Sequence, residues 1–204
     1  MPTSTATSPL LTRLFSEQPE TGLHGLRVWR YAAPLARKIG LPHGAQKTLE
    51  AACILHDIGK LEVPRGVLDS PAALTLDERR VMKGHVASGH RLVSRGEGLG
   101  EVASVLAMHH ERLDGQGYPH GLSGKEIPLA ARVLSIADTF DAMTATRPYR
   151  RALSYEVAVE ELLRASSGRG VSGGQLDGEL VLLFIRQLER ARAPEGEEPG
   201  MQSS

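Results

Sequence analysis

The chain has 204 residues, 41% hydrophobic and 24% charged, which is ordinary for a soluble globular protein and enough for one domain with a substantial core. Its 24 basic residues balance its 24 acidic ones, so no overall field gathers a polyanion, and binding to a DNA or RNA polymer is not expected. The single Cys53 excludes an intrachain disulfide and a multi-cysteine zinc site; no run reaches the ~18 apolar residues of a membrane span, and the N-terminus lacks a signal-peptide pattern, so a cytoplasmic protein without membrane contact is the expectation.

In chain order, residues 1–15 begin small, polar and Pro-containing, and are expected to form a flexible segment. Residues 16–192 read as one domain. Over 23–40 the residues Leu23, Leu26, Val28, Trp29, Ala32, Ala33, Leu35 and Ile39 make one apolar helical face, with Gly40 ending the run and Pro34 set to kink or divide it. A second helix is expected over about 44–57. Thr75 and Glu78 have capping-box spacing, which predicts a helix start there and a run on to about residue 95. Further helices are expected over 99–110, over 127–144, and near 154–166 and 176–191. The segment around 127–144 is apolar almost all round, as a central buried helix would be. Residues 193–204 resemble a disordered tail. No alternating strand of useful length occurs, so the fold class is all-α.

Several polar groups sit where this pattern places the interior. Glu20 and His24 are four apart and share a helix face; His56 and Asp57 end the second helix; His85 lies on the third. His109 and His110 are adjacent, roughly 100° apart around a helix axis. Asp138 lies in the most apolar helix, with Arg132 or a helix end as its ordinary partner. Singly, each histidine is readily a surface or hydrogen-bonded residue. Together, five imidazoles and at least two carboxylates on different helices are satisfied by one buried cation cluster. Imidazole plus carboxylate without thiolate suits Fe, Mn, Zn or Co. Up to eight protein ligands exceed the needs of one tetrahedral ion, so at least two ions are implied, with Asp57 the best candidate to bridge them. Such a pair suits phosphodiester hydrolysis, which needs an activated water and clamped phosphoryl oxygens.

The ordered set "HDIGK" at 56–60, His85, "HHE" at 109–111, "DGQGYP" at 114–119, "IPLAARVLSIADTFDAM" at 127–143 and "RPYR" at 147–150 resembles the HD-GYP domains of the HD phosphohydrolase superfamily, over roughly residues 20–190. The resemblance implies an HD-domain helical bundle with a GYP loop near the metal site. It also implies two or three divalent ions, usually iron or manganese, and cleavage of cyclic di-GMP to linear pGpG or GMP. By position its metal ligands fall on His24, His56, Asp57, His85, His109, His110 and Asp138, and the extra carboxylate of three-metal members falls on Glu20. Asp57 and Lys60 are expected in catalysis, and Lys60, Tyr118, Arg147 and Arg150 in substrate binding. A separate sensor or diguanylate cyclase domain protein is a possible partner. Thr146, Glu62 and His120 depart from the family pattern without removing a ligand. The alternatives are a phosphohydrolase acting on another nucleotide and a catalytically silent cyclic di-GMP receptor.

Overall fold

The computed structural model describes residues 3–146, 151–167 and 174–192, and the chain is helical from the first of them. Helix α1 (Thr3–Glu17) runs through Pro9 and buries Leu14 completely. The expected flexible segment over residues 1–15 is thus helical along nearly all its length. Its apolar positions Leu10, Leu11 and Leu14, with Phe15 against Gly22, form a helical stripe facing the core that the polar start of the segment conceals. Helix α2 (Pro19–Lys38) opens on a proline, whose missing N–H would have had no helical partner in the first turn. Pro34 does not divide it. Helix α3 (His43–Leu55) leads into His56, Asp57 and a 3-10 turn at Ile58–Glu62.

After the short α4 (Arg65–Leu68), the Thr75 capping box forms as read: the Thr75 hydroxyl accepts from the Glu78 N–H at 3.3 Å and the Glu78 carboxylate accepts from the Thr75 N–H at 2.8 Å. The helix it starts is shorter than expected. Gly84 divides the run into α5 (Leu76–Lys83) and α6 (His85–Ser94), which puts His85 at the first residue of α6. Helices α7 (Gly100–Ala107), α8 (Leu129–Thr144), α9 (Tyr155–Ser166) and α10 (Gly178–Arg192) follow, with a second 3-10 turn at Gly124–Glu126. Among the described residues there is no strand, only one antiparallel bridge between Asp114 and Ser123, and no helix is long and apolar enough to cross a membrane.

Helix α2 lies against α3 and α8, α3 also meets α7, and α6 lies against α7 and the first 3-10 turn. Tyr31, Phe140 and Phe184 meet edge to face, with ring centroids 5.0–6.4 Å apart, and lock α2, α8 and α10 together. One contact decides where the site forms. A Cβ at Gly59 would collide with the His85 carbonyl oxygen and stand 2.5 Å from the Gly89 nitrogen. The 3-10 turn therefore presses on α6 backbone to backbone, and Asp57 comes within reach of His85.

Candidate metal centre

Seven of the eight expected ligands converge, from α2 (His24), the end of α3 (His56, Asp57), the start of α6 (His85), the end of α7 (His109, His110) and α8 (Asp138). They fall into two groups able to hold a cation, His24–His56–Asp138 and His85–His109–His110, with His56–Asp57–His109 between them. Asp57 faces both sides. Its Oδ2 lies 3.3 Å from His56 Nε2 and 3.8 Å from His24 Nε2, while its Oδ1 lies 3.4 Å from His85 Nε2.

The ring nitrogens are assigned by what lies behind them. The Nδ1 of His56, His85 and His109 each donates to a carbonyl three residues upstream: Cys53 at 2.8 Å, Met82 at 2.7 Å and Leu106 at 2.5 Å. That bond fixes the tautomer and leaves a lone pair on Nε2. All three Nε2 atoms are buried and have no hydrogen-bond partner. Buried nitrogens without partners are rare and costly, and here three lone pairs face carboxylate oxygens across one small space. A cation resolves that repulsion, so the donor set fits divalent metal.

The protonation pattern agrees. Burial, with His110 and His56 nearby, holds His109 neutral well below the usual imidazole range; burial also lowers His85, and brings His110 down to about 4. His24 is the exception. Burial works against its charge, but hydrogen bonds to Asp138 at 3.0 Å and Asp141 at 2.7 Å outweigh that and lift it to about 9. A proton stands there where a cation would. Burial alone would raise Asp57, but the Lys60 ammonium beside it outweighs that and holds it well below the usual carboxylate range. That suits a shared ligand and makes Asp57 a weak proton acceptor.

Glu20 is the outlier. It is exposed in the first turn of α2 and belongs to none of the cation-capable groups among the described residues. A carboxylate there is favoured by the helix N-terminus alone. Lys60 is in place: its Nζ lies 2.5 Å from Asp57 Oδ2 and its carbonyl accepts from Gln18 Nε2 at 2.9 Å. Tyr118 stacks on His110, centroids 4.8 Å apart. Burial and the charges of Asp57 and Asp138 raise its pKa, so its hydroxyl keeps its proton. Arg147 and Arg150 lie outside the described residues. Arg132 pairs with Asp177 at 2.8 Å, not with Asp138.

Three supporting groups were not anticipated. Asp141, buried one helical turn after Asp138, accepts from His24 Nδ1 and from Arg27 Nε at 2.9 Å. Buried Glu111 accepts the backbone N–H of His120 at 2.7 Å and of Leu122 at 3.0 Å, tying the loop after the paired histidines to them. Gln18 holds Lys60 by its carbonyl. A Cβ at Gly117 would strike the backbone of 110–112, so only glycine lets that loop close over His110. Beside it lies a pocket of about 310 Å³ with His109, His110 and Asp138 in its wall and Lys83, Arg112 and Tyr118 around it.

The family described as HD domain matches residues 9–169, beginning inside α1. The chain belongs to the HD domain family. This HD domain is similar to the cyclic di-GMP phosphodiesterase response regulator RpfG of Xanthomonas campestris pv. campestris, 41% identical over 145 residues, which is 70% of this chain and 38% of that protein. It is also similar to a cyclic di-GMP phosphodiesterase of Thermotoga maritima, 36% identical over 169 residues, covering 82% of this chain and 44% of that protein. A third relative is the 3'3'-cGAMP-specific phosphodiesterase 3 of Vibrio cholerae, 38% identical over 144 residues, with 71% and 31% covered. The HD domain thus spans less than half the length of these curated relatives. Among solved structures, the HD domain of the Listeria monocytogenes phosphodiesterase PgpH matches with a TM-score of 0.63 at 16% identity, covering 91% of this chain and 99% of that one. At that identity the likeness shows the fold, and the fold agrees with the HD-GYP resemblance drawn from the motifs.

Proposed function

We propose that this HD domain is a metal-dependent phosphodiesterase that opens a cyclic dinucleotide, foremost cyclic di-GMP, to linear pGpG or on to GMP. The observation that carries the reading is the set of three buried, partnerless Nε2 atoms facing a carboxylate that reaches both cation-capable groups. The named activities of the relatives supply the substrate class, and 3'3'-cGAMP is the rival substrate they favour. Two divalent ions, iron or manganese, fit the nitrogen and oxygen donors, and the exposed Glu20 favours two over three. When bound, they supply a water activated near neutral pH and positive charge for the phosphoryl oxygens.

The rest is done by side chains. His24, His56 and Asp138 would hold one ion, His85, His109 and His110 the other, with Asp57 shared. Lys60, partly exposed beside Asp57, would take a non-bridging phosphate oxygen as charge builds there. A cytoplasmic setting, and a sensor or cyclase protein as partner, belong to the same proposal. The test is turnover of cyclic di-GMP and 3'3'-cGAMP by protein purified under reducing conditions, with products separated by chromatography. Linear dinucleotide or mononucleotide supports the reading; tight binding without product would make the protein a receptor. In the same assay Lys60→Ala should lower kcat about tenfold or more, the scale of one lost charge-assisted contact to the reacting group, with bound metal unchanged. Loss of metal in that variant would mean that Lys60 acts by holding Asp57.

A further inference from the structure

Among the described residues, the charges around the pocket are balanced by protein groups, with one exception. Arg112 is paired with Asp114 at 2.5 Å, Glu111 accepts two backbone N–H groups, Asp138 faces His24, and Lys60 faces Asp57. Lys83 lines the same pocket as His109, His110 and Asp138, yet among the described residues no carboxylate stands within ion-pair distance of it. Its contact is with the Tyr118 ring, Nζ lying 4.6 Å from the centroid. An aromatic face steadies an ammonium without neutralising it. Lys83 is also tied closely to the reacting centre. Only Gly84 separates it from His85, whose Nδ1 is bonded back to the Met82 carbonyl.

We propose that Lys83 binds the second phosphodiester of the cyclic dinucleotide, the one not under attack. The assignment rests on the cyclic dinucleotide reading. Such a substrate carries two phosphodiester anions on one ring, and the His/Asp centre can engage only one of them at a time. The other enters a pocket whose remaining charges, among the described residues, are already paired, and even partial desolvation there without a counter-charge would be costly. Lys83 supplies that counter-charge, held over Tyr118 so that the ammonium is presented before substrate arrives. The residue is therefore a determinant of preference for substrates with two phosphates over those with one.

The test compares cyclic di-GMP with bis(4-nitrophenyl) phosphate, a diester with a single phosphate, in metal-loaded protein. Lys83→Met keeps the side-chain stem over Tyr118 and removes the charge. The ratio of KM for cyclic di-GMP to KM for the one-phosphate diester should rise about tenfold, the scale of one charge-assisted hydrogen bond at a partly wet site. Lys83→Arg should restore most of that ratio. An unchanged ratio, including one in which both KM values rise together, would overturn the assignment and leave Lys83 as a support for Tyr118. Wild-type protein that cleaves the one-phosphate diester but neither binds nor cleaves a cyclic dinucleotide would overturn the substrate reading, and Lys83 with it.

Discussion

Asp57→Asn should lower phosphodiester turnover by about a thousandfold or more, with at least one bound cation lost. The change is nearly isosteric, so the fold has no reason to suffer. What changes is charge and ligation. Asp57 is the group whose two oxygens face opposite halves of the cluster, 3.3 Å from His56 Nε2 on one side and 3.4 Å from His85 Nε2 on the other. It is also the partner of Lys60. An amide offers one neutral oxygen, which can serve one half only, and turns N–H donors toward Lys60 or toward a cation. Turnover, metal content and the thermal midpoint should be measured on the same sample. An unchanged midpoint with lost turnover fits the account; wild-type turnover in this variant contradicts it.

Asp141→Asn should weaken cation binding about 10–100-fold, the usual cost of losing the partner behind a ligand histidine. Asp141 is only 1% exposed, too deep to meet a substrate. Its carboxylate holds His24 Nδ1 at 2.7 Å and is itself fixed by Arg27. Burial would raise its own pKa, but His24 and Arg27 more than reverse that, so it stays ionised. The effect has a signature in pH. In the cation-free protein His24 keeps its proton up to about 9. That raised value stabilises the cation-free fold fully below the ordinary imidazole range, and the contribution is lost as pH rises through about 9. A cation must displace the same proton, so affinity should climb with pH across the neutral range. With asparagine at 141, His24 loses its proton at lower pH and the climb should be shallower. Metal titrations at several pH values read both effects; an unaltered slope would mean that Asp141 does not act through His24.

The helices were legible where an apolar face repeats without interruption, as over Leu23–Ile39 and around Asp138, and where a local device marks a start, as at Thr75. They were less legible where the signal is shared. The apolar pattern runs across Gly84 unbroken, so the division that sets His85 at a helix start left no periodic trace. In α1 the polar first residues and Pro9 outweighed the stripe of Leu10, Leu11 and Leu14.

At the site, the residues that converge were readable because imidazoles and carboxylates in so apolar a setting need an explanation. The layer behind them was not. Three of its members are backbone carbonyls, of Cys53, Met82 and Leu106, which have no residue identity to read. Asp141 stood in a quoted motif, but its partner His24 is 117 residues away along the chain. Glu20 is the opposite case: it is exposed and outside the cation-capable groups, and a spacing of four from His24 fits a ligand and a solvated first-turn acid equally well.

The central claim is that the converging imidazoles and carboxylates form one centre for two cations. It is tested most directly by the number of divalent ions bound per chain at saturation, measured by elemental analysis of protein dialysed against iron(II) or manganese(II) under reducing conditions. The account predicts two. One or none at saturation would contradict it.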